Sequence, residues 1–206
     1  MESGADRACH ELLLRLAGRL PDEPLWRLRD WLAAGGRSAV GATLPRALLR
    51  NRVGLTAAER DLLVQAVGGW GAPRRLLDAV LPVQAPEAHT TEFRADTLVP
   101  DVAALCVLAV ARGEAGVREV RHTLRLGPRW EQRVVLVLGA DRPWTLTGSL
   151  QRLLRAHGDR TPCVEVLPGG LEPTLYHQAA IAGSTLLWAA AGEPTPAAPV
   201  GASTSA

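Results

Sequence analysis

The most constraining feature of the sequence is an unbroken apolar run, Val-Val-Leu-Val-Leu, within residues 133–138. A short run rich in β-branched residues favours a strand, and its lack of alternation indicates that both faces of the strand are buried. Residues 117–126 alternate between apolar and polar side chains, which predicts a half-buried strand. The short link at residues 127–132 makes the two strands an antiparallel hairpin. The central strand therefore needs a covering layer on each face, supplied by this chain or by a partner.

The segments around this hairpin predict an α+β fold with a small mixed or antiparallel sheet. The expected elements, in chain order, are a strand at 90–95, a helix at 102–112, the hairpin, a helix after Asp141 and a strand at 163–167. This βαββαβ order is that of ferredoxin-like folds.

Two helices of this half carry more specific expectations. The helix at residues 102–112, capped by Asp96 or Asp101, is apolar nearly all round, which predicts that it is buried on several sides. Residues 175–190 predict a C-terminal helix that follows the last strand.

The first part of the chain predicts a bundle of short helices separated by Pro and Gly. Its clearest signal is Thr56-x-x-Glu59, a capping box ahead of an apolar stripe. Asp22 is expected to cap another helix, with Pro24 in the first turn. Leucines recur at helical spacing through the same region, which predicts one shared core.

The composition shifts along the chain predict four segments. Residues 1–81 form the helical bundle, and residues 82–92, which contain two prolines and no helical spacing, form a linker. Residues 93–191 form an α/β sandwich domain. Residues 192–206 are rich in Pro, Ala, Gly, Ser and Thr, which predicts a disordered tail.

Composition and motifs argue against several classes of enzyme. All 23 basic residues are arginine, which excludes a Schiff-base lysine and the lysine of a phosphate-binding P-loop. The three cysteines are far apart, with no C-x-x-C pair, and indicate neither a disulfide framework nor a metal site. There is no G-x-S-x-G motif and no histidine pair at metal-ligand spacing. We therefore expect a non-enzymatic protein without a cofactor or a metal.

The N-terminal residues and the lengths of the apolar runs predict the location of the protein in the cell. The first ten residues lack the pattern of a secretory signal, and the apolar runs are shorter than the ~20 residues that cross a bilayer. These features predict a cytoplasmic protein with no membrane partner. The abundance of Ala, Arg, Leu and Gly beside the absence of Lys indicates a GC-rich bacterial genome.

One candidate ligand site is the loop at residues 139–147, which joins the buried strand to the next helix. Free N–H groups and the helix dipole at such a junction favour an anion or a nucleotide. Arg142 supplies donors, Trp144 a stacking face, and Asp141 and Thr145 complete the candidate set. The alternative is structural: Asp141 caps the helix and Trp144 packs in the core.

A second candidate is a protein interface. The chain has six tryptophans beside one Phe and one Tyr, and Trp70 and Trp130 fall in loops, where burial is difficult. Arg121 and Arg125 lie on the polar side of the alternating strand. Tryptophans that close the seam between the two halves of the chain are the alternative.

A third candidate is DNA binding through the arginine-rich helices, because residues 37–58 contain no acidic residue. The arginines concerned are Arg46, Arg50, Arg52, Arg74 and Arg75. The overall net charge of only +2 makes nucleic acid the least favoured partner. The leading hypothesis is a protein–protein interaction or regulatory module, whose partner is another protein or a second copy. Anion binding and DNA binding are the alternatives.

Overall fold

The computed structural model describes residues 4–86, 91–95 and 100–191. Within these residues the fold is α+β, with eight α-helices and a mixed five-stranded sheet. The predicted tail at 192–206, the middle of the predicted linker and the alternative cap Asp96 lie outside the described residues.

Five helices form the first half of the chain. They are α1 (Gly4–Arg15), α2 (Asp22–Ala33), α3 (Arg37–Arg50), α4 (Ala57–Val67) and α5 (Arg74–Ala79). The capping box at the start of α4 is confirmed: the Glu59 N–H donates to the Thr56 hydroxyl, and the Thr56 N–H donates to the Glu59 carboxylate at 2.9 Å. Fully buried leucines from α1 to α4 form one core, as their spacing predicts.

The sheet contains β1 (Glu92–Arg94), β2 (Glu119–Gly127), β3 (Trp130–Leu138), β4 (Cys163–Leu167) and β5 (Thr185–Ala189). The predicted antiparallel hairpin of β2 and β3 is present, and β4 pairs with β3 in parallel. β1 and β5 both pair antiparallel with the other edge of β2. The ferredoxin-like arrangement is not confirmed, because β1 lies at this edge and pairs only with β2 among the described strands.

The predicted C-terminal helix is shorter than its sequence pattern indicates. Helix α8 (Leu175–Ala182) ends at Gly183, and β5 then follows instead of further helical turns. β5 pairs with residues 119–122 of β2, a stretch of edge that β1 leaves open. The backbone groups of that edge need partners, and this tertiary demand overrides the local helical spacing.

Both faces of β3 are covered, as the apolar run predicts. Helices α6 (Val102–Ala111) and α7 (Pro143–Ala156) pack on the face that carries Val135 and Val137. Helix α8 packs on the face that carries Val134 and Leu136. Because the chain itself supplies both layers, the central strand requires no partner.

Helix α2 joins the helical half to the sheet half by packing along α7. A Cβ atom added at Gly148 would collide with the Cβ of Ala33, so the two helices approach closely at that point. Further along, Arg152 and Asp30 form an ion pair at 3.1 Å. The same contact places the inner side of α2 against β4.

Candidate functional site

The most buried polar cluster in the described structure lies where α2 meets β4 and α8. Arg29 of α2 donates two hydrogen bonds to the two carboxylate oxygens of Glu165, each at 2.7 Å. The same two terminal nitrogens of Arg29 also donate to the backbone carbonyls of Val164 and Leu13, each at 3.0 Å, whereas the buried Nε of Arg29 has no hydrogen-bond partner in the described structure. His177 Nε2 lies 3.1 Å from the same carboxylate, and its Nδ1 lies 2.8 Å from the Thr174 hydroxyl.

The electrostatics of this cluster keep Glu165 ionised. Burial alone raises the pKa of a carboxyl group, but the charge of Arg29 and the hydrogen bond from His177 outweigh it and lower the Glu165 pKa to about 2. Burial likewise disfavours the Arg29 cation, yet the Glu165 carboxylate raises the Arg29 pKa above its ordinary value. Each charge is therefore stable only because the other is present.

A hydroxyl, an imidazole and a carboxylate in series have the composition of a nucleophilic triad, but this arrangement does not operate as one. Arg29 occupies both oxygens of Glu165, and the Thr174 hydroxyl caps α8 by accepting the His177 N–H. The side chains of Glu165 and His177 are about 2% and 1% exposed, so a substrate has no access to them. The cluster attaches the helical half of the chain to the sheet.

A second ion pair crosses the same junction and corrects two predictions. Asp22 does not cap α2: its carboxylate binds Arg125 of β2, with Oδ1 3.0 Å from Nη1, and the capping position is Pro21. Arg125 is consequently buried and does not lie on an interaction surface. Arg121 is half-buried, pairs with Glu119 at 2.6 Å and donates to the Ser184 hydroxyl at 3.3 Å.

The two loop tryptophans have different environments. Trp70 is half-buried against the core of the helical half, where a Cβ on Gly41 would touch its backbone. It closes the core of the helical half itself, which is neither an exposed interface position nor a place in the seam between the two halves. Trp130 is 50% exposed at the start of β3, and the guanidinium of Arg125 lies 5.2 Å from the centre of its ring. Trp130 thus remains available to a partner.

The loop at residues 139–147 does not assemble the predicted anion site. Trp144 is buried in the core of the helical half, 6.3 Å from the His10 ring, so its face is not available for stacking. Asp141 is exposed and does not cap α7, whose capping position is Arg142. Arg142 faces Glu114 at 3.8 Å, and Thr145 is half-buried.

The arginines of the DNA-binding hypothesis separate into different places. Arg46 and Arg50 line a cleft between α2 and α3, whereas Arg52 lines a smaller neighbouring cleft. Arg74 and Arg75 lie exposed on α5 and line neither cleft.

The outer face of α6 is the largest departure from the sequence analysis. Its ten residues are all apolar, and the helix is expected to be buried on several sides. Only one side packs on the sheet, through Ala103, Val107 and Ala111. On the other side Val102 is 64% exposed, Leu105 53% and Val110 38%. Contiguous apolar surface of this kind is typical of interaction sites in general.

The Arg29–Glu165 pair was not among the predicted contacts, although the sequence of β4 carries a local signal for a buried partner. Residues 163–167 read Cys-Val-Glu-Val-Leu, an apolar strand with one ionisable residue at its centre. A carboxylate in such a strand is tolerated only with a buried partner. Nothing local indicates that the partner is Arg29, which lies 136 residues away.

Comparison with known proteins gives no relative: the chain matches no protein-family model, no curated protein and no solved structure. None of the described helices is long and apolar enough to cross a membrane. Across residues 4–86, 91–95 and 100–191, no group of three or more His, Cys, Asp or Glu residues is arranged to hold a metal ion.

Proposed function

We propose that the chain is a non-enzymatic protein–protein interaction module that pairs with a second copy of itself through the outer face of α6. The observation that carries the proposal is the exposure of Val102, Leu105 and Val110 on a helix that has no polar side. Water-exposed apolar side chains at this density favour burial against another apolar surface.

The charges at the ends of α6 favour a second copy as the partner. Asp101 precedes the helix, where its carboxylate also binds Arg133 at 2.6 Å, and Arg112 follows the helix, so an acidic side chain lies at one end and a basic one at the other. In an antiparallel pair related by a two-fold axis, Asp101 of each copy approaches Arg112 of the other. Exposed Ala109 lies between them on the same stripe, and its small side chain permits close helix packing.

The size of the surface sets the expected strength of the dimer. Burying the exposed parts of Val102, Leu105 and Val110 contributes about 3 kcal/mol per copy. Loss of translational and rotational freedom opposes association by a comparable or larger amount. The α6 stripe is also smaller than the ~800 Å² per partner of a standard interface, so neighbouring surface must contribute. We therefore expect a weak dimer that forms only at micromolar or higher concentrations of the chain.

The first test is light scattering over a range from about 1 µM to about 500 µM, which spans these concentrations. The wild-type mass should rise from monomer to dimer. Leu105→Glu places a charge in the stripe and should hold the chain monomeric. Leu175→Glu is the matched control, because Leu175 is 74% exposed on α8, away from α6. A wild-type monomer throughout, or equal behaviour of the two variants, contradicts the proposal.

The second test uses the native thiols. Cys106 is half-buried near the middle of α6, whereas Cys9 and Cys163 are buried, and burial raises the pKa of both of these thiols. An antiparallel pair brings the two Cys106 side chains near the axis, so a short thiol cross-linker should join two copies. Cys106→Ser should abolish the cross-link, and Leu105→Glu should reduce it strongly. Cross-linking that persists in Leu105→Glu refutes pairing through α6.

A further inference from the structure

A cleft of about 510 Å³ lies between α2 and α3, far along the chain from α6. Its volume is in the range of small-molecule sites. Two helical rows with spacings of three or four residues face each other across it. The α2 row is Glu23, Arg27 and Trp31, and the α3 row is Thr43, Arg46 and Arg50.

The charges in this cleft are not balanced. Glu23 binds Arg27 at 3.0 Å and is the one carboxylate among the described residues that line the cleft. Arg46 and Arg50 form no ion pair with any residue in the described ranges, although they are neighbours one turn apart on α3. Like charges in this relation repel each other. An anion in the cleft would relieve that repulsion.

Arg46 is also positioned by the protein. One of its terminal nitrogens donates to the Ala42 carbonyl one turn earlier, which holds the side chain along α3. The other guanidinium N–H groups are free to bind the oxygens of a phosphate, for which the fork of an arginine is well shaped.

Trp31 gives the cleft an aromatic wall. A three-residue link at 34–36 joins the end of α2 to the start of α3, so Trp31, near the end of α2, lies toward the part of α3 that carries Thr43. The arginines then occupy the middle and the opposite end. A planar ring stacked on Trp31 with a charged group reaching the arginines matches this order.

We infer that the α2–α3 cleft binds a nucleoside phosphate, with the phosphates held by Arg46 and Arg50 and the base stacked on Trp31. The arginines line a concave site, and the exposed Arg74 and Arg75 lie outside it. This geometry fits a small ligand rather than a duplex, whose backbone needs an extended row of contacts. The site goes beyond the proposed self-association and is independent of α6.

Isothermal titration with pyrophosphate and with ADP tests the inference on the full chain. ADP should bind about tenfold more tightly than pyrophosphate, because stacking on Trp31 adds to the phosphate contacts. The double variant Arg46→Gln/Arg50→Gln should bind both probes with an affinity about tenfold or more below that of the wild type. The matched control Arg74→Gln/Arg75→Gln removes the same charge outside the cleft and should bind as the wild type does.

The variant Trp31→Leu separates the contribution of base stacking from the contribution of the phosphate contacts. It should reduce ADP binding to the level of pyrophosphate and leave pyrophosphate binding unchanged, which also reports that the variant is folded. The comparison of ADP with pyrophosphate in the wild type does not depend on this variant.

Three results would overturn the inference. The first is absence of binding by either probe. The second is an equal loss of binding in the two double variants. The third is a duplex oligonucleotide that binds more tightly than ADP and depends on Arg74 and Arg75, which would assign the arginines to DNA instead.

Discussion

Breaking the Arg29–Glu165 pair with Glu165→Gln should strongly destabilise the protein. Both side chains are about 2% exposed, and two hydrogen bonds of 2.7 Å join them. The substitution keeps the shape of Glu165 but leaves the Arg29 cation buried without its counter-charge. Removal of one partner of such a pair costs about 3–5 kcal/mol.

The pKa of Glu165 gives an independent magnitude. Its folded-state value of about 2 lies below the ordinary value of 4.5. This difference corresponds to about 3 kcal/mol of stability near neutral pH. Because the folded-state pKa is lowered, the contribution is present above pH 4.5 and is lost as the pH falls toward 2. Glu165→Gln should therefore be less stable than the wild type at pH 7 and show a weaker loss of stability in this acid range.

Urea unfolding at pH 7 provides the assay. A loss of about 3 kcal/mol lowers the unfolding midpoint by about 1.5 M for a typical slope near 2 kcal/mol per molar. A double-mutant cycle with Arg29→Met isolates the coupling between the two side chains, expected at about 3 kcal/mol. The matched control is the cycle for Arg152→Met and Asp30→Asn, an exposed pair between the same two halves, expected below about 1 kcal/mol. Equal coupling in the two cycles would refute the reasoning.

Two further predictions concern the junction between the halves. Burial lowers the pKa of His10 to about 4 from its ordinary 6.5, and its Nε2 lies 2.8 Å from the Val166 carbonyl oxygen. Because the unfolded chain then takes up a proton at a higher pH than the folded protein does, the stability should fall as the pH drops from 6.5 to 4. His10→Gln removes this titration and should flatten the dependence in urea unfolding, and an unchanged slope would exclude His10 as its source. Gly148→Ala should destabilise the protein by about 1–3 kcal/mol, because the Cβ of the new alanine would collide with the Cβ of Ala33. Adding Ala33→Gly should restore most of the lost stability, as measured by thermal unfolding. A double variant that is no more stable than Gly148→Ala would contradict this contact.

Much of the local structure was predictable because its causes lie within a few residues of each other. The capping box joins Thr56 to Glu59, three positions apart, and both of its hydrogen bonds form. Asp101 caps α6 through the Ala104 N–H in the same way. The apolar run in β3 reports burial on both faces directly, because neither set of alternating side chains is polar. The described helical half likewise follows from leucine spacing.

The candidate surfaces were predicted less well, since they depend on what covers each element. A helix without a polar side has no preferred orientation, so the sequence of α6 does not indicate which side faces the sheet. Trp144 follows a loop that the sequence predicts to be exposed, but the helical half packs over its side chain. Residues 185–189 become a strand because β2 has a free stretch of edge at 119–122.

The buried Arg29–Glu165 pair shows why local sequence predicts some contacts and only tertiary packing decides others. The local pattern establishes that Glu165 lies in an apolar strand, and such a carboxylate requires a buried partner. The choice of Arg29, and the orientation of α2 that delivers it, arise only when the two halves pack together. Short-range hydrogen bonds and side-chain periodicity are encoded in neighbouring residues. The desolvation and pairing of distant charges are properties of the assembled core.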